Sequence, residues 1–245
     1  MKLCGAQTKS VTGNIDANIE RHLIFIEEAI SCESDLIIFP ELSLTGYEPT
    51  LARNLATRPN DERLEPFQKI SEESRVSIGV GVPTIHGDGV FISMILFQPN
   101  KRPMVYSKKY LHPDEEPFFI SGVNFPSIII SDTSVGLAIC YELSIPDHIS
   151  AARKSGAELY VASVAKFASG VKKAQETLSD ISMQYSIPTV MVNAIGAADN
   201  GMCTGNSSVW NDKGELVGQL GSSVEGILIY NTLSGEVIEK VIWKP

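Results

Sequence analysis

With 245 residues, 43% of them hydrophobic and 20% charged, the chain has the composition of a globular protein able to bury a sizeable core. Twenty Lys and Arg against 29 Asp and Glu leave a net charge of −9, which argues against a nucleic-acid partner, whose affinity would rest on clustered cations. Cys4, Cys32, Cys140 and Cys203 lie far apart with no CxxC spacing, so reduced thiols are expected in place of a metal cage or disulfide framework.

Read in chain order, residues 2–6 form a short predicted strand. Ile15, Ile19, Leu23, Ile26 and Ile30 then recur at intervals of three to four, the period of an amphipathic helix over 14–32. Leu36-Ile37-Ile38-Phe39 is an apolar run of strand length, stopped by Pro40, and such an unbroken run suits a strand covered on both faces. A helix is expected at 66–73 and strands at 76–83, 90–97, 105–107 and 135–139. The helix over 146–154 has Pro146 at its first turn and Gly156 just past its end. A strand at 159–162, a helix at 172–185 and strands at 189–193, 207–210, 226–230 and 236–242 complete the alternation. The class is therefore α/β, with sheets sheathed by helices. No repeat or linker interrupts it, and one domain over residues 1–245 is expected.

No signal-peptide pattern follows Met1. The longest uncharged runs, 118–131 and 186–198, contain Pro and polar residues and fall short of a membrane span. A cytoplasmic protein with no membrane partner is the expectation.

Three predicted strands end on a group that can do chemistry: Glu41 after 36–39, Lys108 after 105–107 and Cys140 after 135–139. In α/β proteins the crevice beyond the carboxyl ends of strands is where ligands tend to sit. A thiol flanked by a cation and a carboxylate has what a nucleophile needs, because the cation favours thiolate and the carboxylate can accept its proton. Each residue alone also has an ordinary structural reading, as a core cysteine, a turn acid or a solvated lysine. The histidines offer no rival pairing, since His22, His86 and His112 are remote in sequence and His148 reads as a packing or surface residue.

The motifs around these groups add more. Phe39-Pro40-Glu41-Leu42-Ser43-Leu44-Thr45-Gly46-Tyr47 resembles the glutamate motif of the nitrilase superfamily, the carbon–nitrogen hydrolases. Tyr106-Ser107-Lys108-Lys109-Tyr110-Leu111 resembles its lysine motif, and Gly136-Leu137-Ala138-Ile139-Cys140-Tyr141-Glu142 its cysteine motif. The resemblance implies a four-layer αββα sandwich and a catalytic triad of Glu41, Lys108 and Cys140. It further implies a second glutamate about eight residues after the lysine, placed at Glu116 with Glu115 as its neighbour. Tyr47, Tyr141 and Glu142 are expected to contact substrate.

The implied activity is hydrolysis of a small linear amide through a Cys140 thioester, requiring no cofactor and no metal. Homodimers or higher homo-oligomers are implied too. A nitrilase, an N-carbamoyl-amide hydrolase or an inactive binding protein of the same fold are the alternatives. Ser144 and the 183–186 segment depart from the usual family pattern, which bears on specificity more than on reaction type.

Overall fold

The computed structural model describes residues 1–243. Its elements begin with β1 (Lys2–Gln7), α1 (Ile15–Ser31), β2 (Leu36–Ile38), the short α2 (Ala52–Leu55) and α3 (Glu65–Ser74). Strands β3 (Ser77–His86), β4 (Gly89–Phe97), β5 (Met104–Ser107), β6 (Ile128–Ile130) and β7 (Thr133–Ile139) follow. A 3₁₀ turn over Cys140–Ser144 leads into α4 (Pro146–Lys154), β8 (Leu159–Val164), α5 (Ala168–Tyr185) and β9 (Thr189–Asn193). The chain continues through β10 (Ile195–Ala198), β11 (Gly201–Thr204), β12 (Ser208–Trp210), β13 (Leu216–Gln219), β14 (Glu225–Asn231) and β15 (Val237–Trp243).

Two mixed sheets carry the architecture. One has the order β15-β14-β1-β2-β3-β4-β5 and the other β13-β12-β9-β8-β7-β6, while β10 and β11 form a separate hairpin. Strands β1, β2 and β3 run parallel, as do β7, β8 and β9, and these are the strands linked through helices. β4 is antiparallel to both β3 and β5, so β5 runs in the same direction as β2. The carboxyl ends of β2 and β5 therefore lie on the same side of the sheet.

Three apolar clusters show how the layers stack. In the first, Leu3, Leu36, Ile38 and Leu96 of one sheet meet Leu137, Val161, Val190 and Val209 of the other. In the second, Ile19, Phe25, Ile26 and Phe67 of α1 and α3 pack on Ile37, Ile78 and Ile229. In the third, Ile149, Ala152, Leu178 and Ile181 of α4 and α5 cover Ala138, Tyr160 and Met191. The alternation of side chains along each strand feeds one face to the neighbouring sheet and the other to a helix. The result is the expected αββα sandwich. The sheets approach closely at Gly5, where a Cβ would stand 2.9 Å from Val192 Cγ2.

The helix from 14–32 is present as α1, with the Asn14 side chain accepting from Ala17 N at 3.1 Å as its N-cap. Several differences fall where apolar patterning is weak, although β6 is the apolar run Ile128–Ile130. Helix α5 starts at Ala168, four residues before Lys172, because its first turn, Ala-Ser-Gly-Val, carries little periodic signal. Strands β6, β10, β11 and β13 were not expected; β10 is Ile-Gly-Ala-Ala and is defined by its pairing with β11, not by side-chain alternation. No helix among the described residues is long and apolar enough to cross a membrane.

Candidate active site

Glu41 lies three residues beyond β2, in a turn tied to the sheet from both sides. Phe39 N donates to Gly79 O at 2.9 Å and Leu44 N to Gly81 O at 2.9 Å, while Ser163 Oγ of β8 donates to Phe39 O at 2.8 Å. Leu42 adopts φ +52°, the left-handed conformation that turns the chain away immediately after Glu41. Lys108 follows β5 directly; its N–H donates to Ile92 O and its carbonyl accepts from Gly122 N, each at 2.8 Å. Cys140 opens the 3₁₀ turn after β7 with φ +44°. A non-glycine residue in that region is strained, and such strain persists where the surrounding structure holds it in place.

These three strand ends converge. Lys108 is completely buried, and its Nζ donates to Glu41 Oε1 at 2.8 Å and to Glu115 Oε1 at 2.7 Å. Burial opposes the ammonium charge, but Glu41, Cys140 and Glu115 outweigh it and hold the Lys108 pKa above the ordinary lysine value. Glu41 responds in the opposite way. Its burial raises the carboxyl pKa above the usual range, with Glu115 adding to the effect and Lys108 working against it. Its second oxygen, Oε2, is buried without a hydrogen-bond partner. The Cys140 thiol is the neighbouring donor within hydrogen-bonding reach of this carboxylate. Burial and Glu41 push the half-buried Cys140 thiol up to about 11, while Lys166 and Lys108 pull it down.

Of the two adjacent glutamates, Glu115 is the one placed against Lys108. Its Oε1 accepts from Lys108 and from Tyr47 Oη at 3.0 Å, and its Oε2 accepts from His112 N at 2.8 Å. Glu116, the residue favoured by sequence, is exposed and lies outside the cluster. The correction has a backbone cause: Phe118 N and Phe119 N both return to Glu115 O, which closes a turn that sends side chain 115 inward and 116 to solvent.

Glu142 also departs from expectation. It is wholly buried behind the Cys140 turn and does not face the cavity. Its Oε1 accepts from Lys109 N at 2.8 Å and Asn124 Nδ2 at 3.0 Å, and its Oε2 from Ile139 N at 2.9 Å and Tyr106 Oη at 2.7 Å. One carboxylate thus holds the peptide just after Lys108 and the N–H of Ile139, the residue before Cys140. His148 closes the same network, with Nε2 at 2.8 Å from Tyr106 Oη and Nδ1 at 2.8 Å from Tyr160 Oη. The Tyr106 hydroxyl also lies 2.9 Å from Leu137 O, so His148 and the two tyrosines form one buried hydrogen-bonded cluster behind the turn. His148 is a buried structural residue with no bond to the thiol.

Cys140 opens onto a cavity of about 340 Å³, walled by Tyr47, Glu115, Tyr141, Lys166, Phe167 and Asp199 among others. That volume suits a small ligand. Tyr141 packs edge-on against His112 with ring centroids 5.1 Å apart. Tyr47 and Tyr141 both line this cavity. Lys166 is not singled out by the sequence, because an isolated lysine in a loop carries no pattern.

A profile described as carbon-nitrogen hydrolase matches residues 3–240, and the chain belongs to that family. An (R)-stereoselective amidase from a Pseudomonas species is 24% identical over 210 residues, covering 85% of this chain and 76% of that protein. A glutamine-dependent NAD(+) synthetase from Acinetobacter baylyi is 28% identical over 91% of this chain, which spans only 42% of the synthetase's length. Among solved structures, an amidase from Nesterenkonia sp. AN1, captured with acrylamide added at its active-site cysteine, superposes with a TM-score of 0.85. It is 20% identical, and 94% of this chain and 92% of that one are covered. A branch 10 member of the nitrilase superfamily from Saccharomyces cerevisiae gives a TM-score of 0.87 at 18% identity, over 95% of this chain and 89% of that one. At these identities the structural likeness speaks for the fold alone.

Proposed function

We propose that this protein hydrolyses the carbon–nitrogen bond of small linear amides, with Cys140 as nucleophile, Glu41 as proton carrier and Lys108 as electrostatic stabiliser. The observation that carries the reading is the buried Glu41 carboxylate, with one oxygen held by Lys108 and the Cys140 thiol within hydrogen-bonding reach of the same group. A thiol pushed up to about 11 is protonated at neutral pH, so it needs a base at the moment of attack. Glu41 supplies it. As sulfur bonds to the carbonyl carbon, the thiol proton passes to Glu41 and the carbonyl electron pair moves onto oxygen.

Lys108, kept as an ammonium, and the N–H of Tyr141 at the start of the 3₁₀ turn stabilise that oxyanion. Collapse expels the amine, which takes its proton from Glu41, and leaves an acyl thioester on Cys140. Water then attacks the thioester while giving a proton to Glu41, and the tetrahedral intermediate releases a carboxylic acid and thiolate, to which Glu41 returns the proton. The cycle closes without a metal or organic cofactor. Glu115 and Tyr47 hold Lys108 in place throughout. Pairing of two copies through the outer helical layer, and a cytoplasmic setting, belong to the same proposal and rest on the family resemblance.

The test is ammonia release across small amides, ω-amides, N-carbamoyl compounds and nitriles. Linear amides should be turned over, and Cys140→Ala should abolish release while leaving the thermal unfolding of the protein near that of the parent. Near-normal release by Cys140→Ala, or release from nitriles alone, would remove this reading.

A further inference from the structure

The charged groups around the Cys140 cavity are mostly engaged. Lys108 is shared by Glu41 and Glu115, and His112 is paired with Asp114. Asp199 is exposed to solvent. Lys166 is different: it is half-buried, it lines the cavity, and its Nζ has no acidic or hydrogen-bonding partner among the described residues. A partly desolvated ammonium without a counter-charge gains when a ligand brings one.

Lys166 is also held in position. The side chain of fully buried Asn193 brackets its backbone, Oδ1 accepting from Lys166 N at 2.8 Å and Nδ2 donating to Lys166 O at 3.1 Å. The same carbonyl accepts from Thr204 N at 3.3 Å. The aliphatic stem runs beside the first turn of α5, where a Cβ at Gly170 would sit 3.9 Å from Lys166 Cβ, Cγ and Cδ. That turn contains no acidic residue and no side-chain cap, and its Ser169 and Gly170 line the same cavity. The positive end of the helix therefore reinforces the lysine.

Building on the amide-hydrolase reading, we infer that Lys166 selects substrates: the cavity takes short amides that carry a carboxylate at the far end of the acyl chain, the monoamides of small dicarboxylic acids. The amide carbon sits at Cys140 and the carboxylate pairs with Lys166, so the two ends of the acyl chain are fixed by separate residues and the reacting end is oriented by the other. The competing role for Lys166 is activation of the thiol, since its charge does favour thiolate. Burial and Glu41 nonetheless keep the thiol at about 11, so Lys166 does not create a resting thiolate. The two roles differ in outcome: thiol activation would affect every substrate alike, whereas selection affects only the anionic ones.

The experiment compares kcat/KM for succinamate with that for the neutral amide butyramide, by ammonia release. Succinamate should be preferred at least tenfold, Lys166→Met should reduce that ratio by about tenfold or more, and Lys166→Arg should retain most of it. In parallel, succinamate is titrated calorimetrically into Cys140→Ala, with and without Lys166→Met. Binding should weaken at least tenfold when the lysine is removed. A ratio unchanged in Lys166→Met, or succinamate binding indifferent to it, would overturn the inference. Lysine-dependent binding of succinamate with no ammonia release from any amide would instead sink the hydrolase reading and leave the anion subsite standing.

Discussion

Adjacent glutamates end up in opposite situations in this protein. Glu115 is buried against Lys108, Tyr47 and the His112 backbone, whereas Glu116 faces water, although their side-chain chemistry is identical. Glu115→Gln would keep the shape but set an amide where a carboxylate accepts from an ammonium, loosening Lys108 beside the proposed oxyanion position. Misplacement of a catalytic group by about 1 Å can cost about 10²-fold in rate. We therefore expect Glu115→Gln to lose on the order of 10²-fold in kcat, and Glu116→Gln to stay near the parent. Steady-state kinetics on the best amide decides, and a larger loss at Glu116 would return the second glutamate to the position first expected.

At the scale of elements, the site depends on how closely strand β3 approaches the turn that bears Glu41. A Cβ placed on Gly81 would lie 2.4 Å from both Leu42 N and Pro40 O, and both are backbone atoms with little room to yield. Gly81 also accepts from Leu44 N and donates to Ser43 Oγ, so the strand and the turn are bonded as well as packed. Gly81→Ala should then push the Glu41 turn off the sheet. Overpacking of this kind typically costs about 1–3 kcal/mol, and activity should fall by more than stability alone explains. Gly221→Ala is the control, because its added methyl would meet only Val224 Cγ2 at 3.8 Å. Denaturant unfolding and ammonia release measured on both variants test the claim. Equal behaviour of the two would show that the turn is not held by this contact.

Across the whole molecule, the outer helical layer is pinned to the turn that bears Glu41 by a buried histidine. His22 of α1 donates from Nδ1 to Asn18 O at 2.6 Å, accepts at Nε2 from Ser43 Oγ at 2.9 Å, and stacks on Phe39 at 3.9 Å. Burial drives its pKa down from 6.5 to about 3, with Arg21 adding to the effect and the Asn18 carbonyl opposing it. The unfolded chain binds a proton at this residue between those two values and the folded chain does not. Stability from this group is therefore complete above pH 6.5 and is lost as pH falls toward 3. The loss is on the order of 5 kcal/mol at the lower limit. Urea unfolding at pH 7, 5.5 and 4 should show a steep acid decline that is shallower in His22→Gln. The same slope in both proteins would assign acid sensitivity to other groups.

Much of this protein could be read from the order of its residues. Apolar periodicity identifies α1, the runs 36–39 and 135–139 identify buried strands, and the motifs at their ends nominate Glu41, Lys108 and Cys140, because local patterns record which face of an element is covered and where it stops. Strands such as β10 and β11 were beyond that reading, since a strand with small or polar side chains is specified by its partner's hydrogen bonds. Three decisions belonged to the tertiary structure alone. The turn after His112 chooses Glu115 over Glu116, the packing behind the Cys140 turn makes Glu142 a buried brace rather than a substrate contact, and the convergence of Asn193, α5 and β7 makes Lys166 a cavity residue. Each depends on segments far apart in the chain meeting in space, and direction and burial are set by that meeting, which a single sequence does not encode in any local pattern.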